Sequence, residues 1–290
     1  MFKPTVLGEF INPGAQIPAK PMRDYASRAT TLWKENGPIA VIRGLYRVGY
    51  YDIYRKILYK IASEKKAHTI EDITVQAPTE TYWQYNHFSE LIERKMIGDF
   101  ISEIRTDDTV FDVGAFLGWH TLFAAKAAED GLTVAFEPHP VSFSRLEEVL
   151  RCAEGTVQSY NYALSDAEAS VTIPRNSSSG AEISEDTSTI EGFETKAVRG
   201  DELIQSENLP VPNVIKIDVE GKEKEVLDGL KRTISSDECR VIYCEMHPQK
   251  SLFGNALYSK VVDCLENVGF EWSVLDGTER VIIKAKDPTN

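Results

Sequence analysis

Cysteine is scarce: the 290 residues hold four, at 152, 239, 244 and 264. None forms a C-x-x-C pair, which excludes a zinc ribbon or a thioredoxin-type motif. Cys239 and Cys244 flank an apolar run and read as core thiols, a pattern that fits a reducing, cytoplasmic compartment. No run of about eighteen apolar residues is present, so no membrane-spanning helix is expected. The opening residues mix Pro and Glu without an apolar centre, and no secretory leader is read there. A phosphate loop needs G-x-x-x-x-G-K-[ST], and a dinucleotide turn needs G-x-G-x-x-G. The one glycine turn that follows a strand-like run, Gly114 to Gly118, has neither the lysine nor the third glycine.

Basic residues are thin in the later part of the chain. Residues 101–290 carry 18 Lys and Arg against 34 Asp and Glu, a net of −16, which argues against a nucleic-acid groove and reads as solubility. Residues 1–100 carry 14 against 11, a net of +3. Much of that excess lies between Ile39 and Lys66, where Arg43, Arg47, Arg55, Lys56, Lys60, Lys65 and Lys66 face Asp52 and Glu64. Such a tyrosine-rich amphipathic segment suits peripheral contact with the inner face of a membrane, or a helix whose basic side faces water.

What is present is a globular composition, 42% hydrophobic, with strand and helix patterns in alternation. Residues 1–22 read as an irregular arm, 23–35 as a short helix and 39–62 as a longer one, so residues 1–85 form a helical extension. A short strand falls near Ile73–Val75, and a helix capped by Asn86 runs to about Ile104. From residue 109 the strands are VFDV, TVAFE (133–137), SYNYAL (159–164), NVIKIDV (213–219) and RVIYCEMH (240–247). Helices follow at about 119–129, 142–152, 222–234 and 256–268. Continuously apolar strands alternating with helices predict a parallel sheet over 86–290. FEWSVL (270–275) and RVIIKAK (280–286) form a closing hairpin. A second hairpin, about 170–200, is inserted at the sheet's edge around a polar loop.

The turn DVGAFLG (112–118) places backbone N–H groups and a helix start at the carboxyl edge of that sheet. Glu137 ends the next strand, nineteen residues after Gly118, where an acid takes the ribose hydroxyls of an adenine nucleoside. Asp112 beside the turn would repel a pyrophosphate but suits the ammonium of a methionine moiety, which favours S-adenosylmethionine over NAD.

DVGAFLGWHT, VAFEPHP, NYALSD, VIKIDVEGKEKEVLDGL and EMH together resemble the FkbM-type S-adenosylmethionine-dependent methyltransferases, in order and spacing across roughly residues 88–285. The resemblance implies an α/β class I methyltransferase (Rossmann-like) fold: a seven-stranded, mostly parallel sheet with an antiparallel last strand. It implies O-methylation of a hydroxyl on a sugar, glycan or small metabolite. It assigns the cofactor to Asp112, Gly114, Ala115, Gly118, Glu137, Pro138, Ser165, Asp166 and Asp218, with Leu164 or Ser165 against the adenine ring. Phe116 departs from the family, which prefers asparagine there. The alternative is a catalytically inactive binding module of this fold that docks through the basic segment.

Methyl transfer to a hydroxyl needs in-line geometry and a proton acceptor. Asp218, Glu220 and His247 are the candidates, with Glu245 placed to orient His247. The resemblance calls for no metal; oxygen ligands from the D-V-E set with His247 leave a divalent cation as a minor option. Lys216 sits within an apolar strand with a partner that cannot be read. His120 and His139 are expected to hydrogen-bond near the cofactor. Tyr82, Trp83 and Tyr85 form either a wall of the acceptor pocket or a packing surface.

Overall fold

Three wholly buried strands form the centre of the sheet: β3 (Thr109–Val113), β9 (Val214–Ile217) and β10 (Val241–Met246). A strand covered on both faces can be apolar at every position, which is how these runs read. A computed structural model describes residues 65–78, 90–174, 192–247, 254–276 and 281–289. With β4 (Leu132–Phe136), β5 (Val157–Tyr160), β11 (Glu271–Asp276) and β12 (Val281–Lys286), these strands make a seven-stranded sheet in the order β11-β12-β10-β9-β3-β4-β5. β5, β4, β3, β9 and β10 run parallel; β12 is antiparallel to both β10 and β11. This is the α/β sheet that the resemblance implied, with its antiparallel last strand.

Successive residues of a strand feed opposite faces. Val110, Val214 and Tyr243 pack with α1 (Glu90–Ser102) and α2 (Trp119–Ala127) through Ile97, Phe100, Leu122 and Phe123. Phe111, Ile215 and Ile242 pack with α5 (Glu223–Gly229) and α7 (Leu257–Asn267) through Val226, Leu227, Val261 and Leu265. Each of these fully buried side chains stabilises the fold by about 1.5–3 kcal/mol relative to exposure. Among the described residues no helix is long and apolar enough to cross a membrane.

The compact unit begins at Lys65, ahead of the expected boundary at 85/86. Its first element is a hairpin of β1 (Lys65–Ile70) and β2 (Ile73–Pro78), of which the sequence showed only the start of β2. Ile70, Val75 and Ala77 are buried with Trp119 and Phe123 of α2, which explains why the hairpin stays with the sheet. The arm, the helices expected between 23 and 62, Tyr82, Trp83, Tyr85 and the Asn86 cap lie outside the described residues. So do the polar loop 175–191 and all of the basic segment before Lys65.

Three expectations need correction. The run 159–164 is not one strand: β5 ends at Tyr160 and β6 (Tyr162–Ser165) joins another sheet. Asn161 breaks it, because its side-chain amide donates to the carbonyls of Glu137 and Pro138 at 2.8 and 3.0 Å and ties the chain to the end of β4. The hairpin near 170–200 does form, from β7 (Ala169–Pro174) and β8 (Gly192–Arg199). It pairs with β6 in a separate three-stranded sheet, β6-β8-β7, rather than extending the edge of the large one. The helix expected over 222–234 is also divided, into α5 and α6 (Lys231–Ile234). A Cβ on Gly229 would lie 1.9 Å from the carbonyl of Ser165, so the end of α5 passes directly against β6.

Candidate active site at the carboxyl edge

The turn after β3 is shaped by left-handed backbone at three positions, Gly114 (φ 84°), Phe116 (φ 50°) and Gly118 (φ 80°). The glycines are dictated by crowding within the protein. A Cβ at Gly114 would lie 1.8 Å from the Asp218 carbonyl, and one at Gly118 would lie 2.5 Å from Leu146 Cδ1. At Phe116 a non-glycine residue holds a conformation that asparagine tolerates far better, which gives a backbone reason for the preferred asparagine at this position.

Glu137, at the end of β4, is only 1% exposed. Its Oε2 accepts the Phe116 N–H at 2.8 Å and its Oε1 accepts the His139 N–H at 2.9 Å. Burial is the strongest influence on this carboxyl and pushes it up to about 7, against the opposing pull of the two N–H donors and Lys216 and with Asp112 adding to the rise. Each carboxylate oxygen keeps a second lone pair.

Asp112 is fully buried, and a protein donor meets each of its oxygens. Thr121 donates its hydroxyl to Oδ2 at 2.6 Å, and Lys216 donates to Oδ1 at 3.1 Å. Asp112 is the partner of Lys216 that the sequence left unread. Lys216 also lies 3.6 Å from Asp218 Oδ2. Burial opposes its charge, yet Asp112 and Asp218 hold it well above the usual lysine range.

At the ends of β9 and β10 a second cluster forms around His247. Asp218 Oδ1, Glu220 Oε2 and Glu245 Oε1 stand 3.7, 3.6 and 3.6 Å from its Nε2. Glu223, the first residue of α5 and completely buried, lies 3.0 Å from Nδ1 and is the residue that orients the ring; Glu245 faces the other nitrogen. Sequence reasoning missed Glu223, although its place three residues after Glu220, at a helix start, was a usable signal. Burial lowers the basicity of His247, but Glu223, Asp218 and Glu220 outweigh it and raise the ring to about 9. Glu220 itself has φ 56°, followed by Gly221 at 100°.

The remaining expected residues are placed as follows. Ala115 is buried in the turn, and its N–H, like that of Gly114, donates to the Phe136 carbonyl at 2.9 Å. Leu164 is a core side chain, 4% exposed. Ser165 donates to the exposed Asp166 carboxylate at 3.3 Å. His120 is buried against Met96, 3.2 Å from its sulfur, and is a core residue. His139 caps α3 (Pro140–Leu150) by accepting the Ser142 N–H on Nδ1 at 3.3 Å.

Residues 112–272, more than half of the chain, match the family model described as the methyltransferase FkbM domain. The chain belongs to the FkbM methyltransferase family. It is 36% identical over 144 residues to the hexuronic acid methyltransferase AglP of Haloferax volcanii, covering 50% of this chain and 59% of that protein. It is 30% identical over 200 residues to the 31-O-demethyl-FK506 methyltransferase FkbM of Streptomyces tacrolimicus, covering 58% of this chain and 74% of the relative. The crystal structure of a methyltransferase FkbM from Methylobacillus flagellatus is similar with a TM-score of 0.46 and 14% identity, over 63% of this chain and 44% of that one. The match therefore spans well under two thirds of both AglP and that crystallised chain. The FkbM match takes in both Asp112 and His247, the outer members of the two clusters described above.

Proposed function

We propose that the protein is an S-adenosylmethionine-dependent O-methyltransferase acting on a hydroxyl of a sugar, glycan or small metabolite. The observation that carries this reading is Glu137: an acid at the end of the strand after the glycine turn, held by N–H groups of Phe116 and His139 with a lone pair left on each oxygen. The donor set fits the cofactor. Glu137 would take the ribose hydroxyls, the turn 114–118 and Pro138 would flank the nucleoside, and the carboxylates of Asp218 and Glu220 would face its cationic sulfonium end. When bound, S-adenosylmethionine supplies an electrophilic methyl group.

The protein's own part is to hold the acceptor in line and remove one proton. The carboxylates around His247 raise its ring above the ordinary imidazole range, which favours a carboxylate over the ring as the proton acceptor. The proton acceptor is then Asp218 or Glu220. The relatives named above are methyltransferases of a hexuronic acid and of 31-O-demethyl-FK506, which supports an oxygen-rich acceptor.

Calorimetry with S-adenosylhomocysteine tests the reading: binding is expected in the wild type and a sharp loss in Glu137→Ala. Absence of binding in the wild type would sink it. Transfer of labelled methyl to fractionated extract, followed by product identification, then names the acceptor.

A further inference from the structure

The spacing around His247 is unlike that of a simple ion pair. A protonated ring nitrogen normally closes on one carboxylate oxygen at about 2.8 Å. Here three oxygens stand at nearly one distance from Nε2, 3.6 Å for Glu220, 3.6 Å for Glu245 and 3.7 Å for Asp218. The ligand atoms of Asp218, Glu220 and His247 all lie within 4.8 Å of one another. Donors each about 2.1 Å from a single divalent cation sit roughly 3.0–3.5 Å apart, so the Nε2–oxygen spacings need close by only a few tenths of an ångström, while the widest spacing in the group closes by up to about an ångström through carboxylate rotation.

A separate observation lies behind the ring. Glu223 has no exposed surface, and its Oε1 takes both His247 Nδ1 at 3.0 Å and the Gly221 N–H at 2.9 Å. Its Oε2 is buried with no hydrogen-bond partner among the described residues. A buried carboxylate with only one oxygen bonded is costly to keep. It has a use if it fixes Nδ1 as the protonated nitrogen, leaves the Nε2 lone pair facing the oxygens and strengthens that donor. This carboxylate–histidine arrangement is the one that orients metal-bound imidazoles.

We propose that Asp218, Glu220 and His247 bind a divalent cation of the Mn²⁺ class, with Glu245 beside them and Glu223 positioning the ring. One imidazole with carboxylate oxygens suits Mn²⁺ or Mg²⁺ better than a thiolate-seeking metal. The cation takes the place of the Nε2 proton; when it is bound, Asp218 and Glu220 serve as its ligands rather than as proton acceptor, and the proton of the acidified hydroxyl passes to water. Resting on the methyl-transfer reading, the cation narrows the acceptor to molecules that chelate, with a hydroxyl beside a second hydroxyl or a carboxylate. A cation-bound hydroxyl is also more acidic.

The full chain, stripped with chelator, is titrated with MnCl₂ while free Mn²⁺ is read by electron paramagnetic resonance; S-adenosylhomocysteine binding is measured separately. One Mn²⁺ per chain is expected. His247→Ala and Glu220→Gln should each weaken it at least about tenfold, and Glu223→Gln about tenfold, with native circular dichroism. No Mn²⁺ binding, or binding undiminished in both His247→Ala and Glu220→Gln, overturns the cation site even if S-adenosylhomocysteine binds. Loss of S-adenosylhomocysteine binding with Mn²⁺ retained sinks the methyl-transfer reading and leaves the cation site standing.

Discussion

Lys216 on β9 stands in register beside Asp112 on β3, its ammonium 3.1 Å from a carboxylate that has no exposed surface. The pair joins the glycine turn to the loop that carries Asp218, because the same ammonium reaches Asp218 at 3.6 Å. Removing one member leaves an uncompensated buried charge. Lys216→Met should therefore cost about 3–5 kcal/mol in chemical denaturation. The double variant with Asp112→Asn should cost clearly less than the sum of the two single changes, since the partners are in contact. Additive costs would show that the pair is not coupled.

Glu137 predicts a pH dependence. Its carboxyl is raised to about 7, so between the unfolded value of 4.5 and that point the native state binds more protons than the unfolded one. Its contribution to stability is present at low pH and falls as pH rises through about 7. Ribose hydroxyls need the ionised acceptor, so S-adenosylhomocysteine affinity should move the other way and rise about tenfold from pH 6 to pH 8. In Glu137→Gln that part of the pH dependence should vanish. An equal slope in both proteins, measured by calorimetry, would assign the titration to another group.

Phe116 tests the backbone explanation of the turn. At φ 50° a β-branched side chain is the worst choice and asparagine a good one. Phe116→Val should melt below Phe116→Asn by an amount equivalent to about 1 kcal/mol. Equal melting temperatures would place the family's preference for asparagine in a ligand contact instead.

Asp201, on α4 (Gly200–Ser206), accepts the N–H groups of Arg232 and Thr233 at 2.8 and 2.9 Å and the Thr233 hydroxyl at 2.7 Å. It caps α6 from a different helix. Asp201→Ala should lower stability by about 1–2 kcal/mol without changing S-adenosylhomocysteine affinity, and thermal melts with and without the ligand would separate the two effects.

The parallel core was legible because its strands are buried on both faces and so advertise themselves as unbroken apolar runs. The break at Asn161 was not, because it depends on an amide reaching two carbonyls at the end of another strand. Asp112, Glu137, Asp218, Glu220 and His247 were legible as acids and a histidine at strand ends. What each one touches was not. The ammonium on Asp112 comes from 104 positions away in the sequence, and the carboxylate under His247 lies 24 positions back. Spacing along one chain registers neither. Phe116 showed in the sequence only as a departure from the family's asparagine, while its left-handed backbone sets a constraint at that position that no sequence pattern displays.

The absent side chain at Gly114 also limits how this edge of the molecule can breathe. The Asp218 carbonyl occupies the space a Cβ would need, and the Asp218 N–H is bonded to the Val113 carbonyl at 2.9 Å. With Lys216 clamping the same two segments from beneath, the turn 114–118 and the loop that carries Asp218 have no clearance to slide past each other. The packing holds them as one block, so any widening of this edge has to come from other segments along the rim.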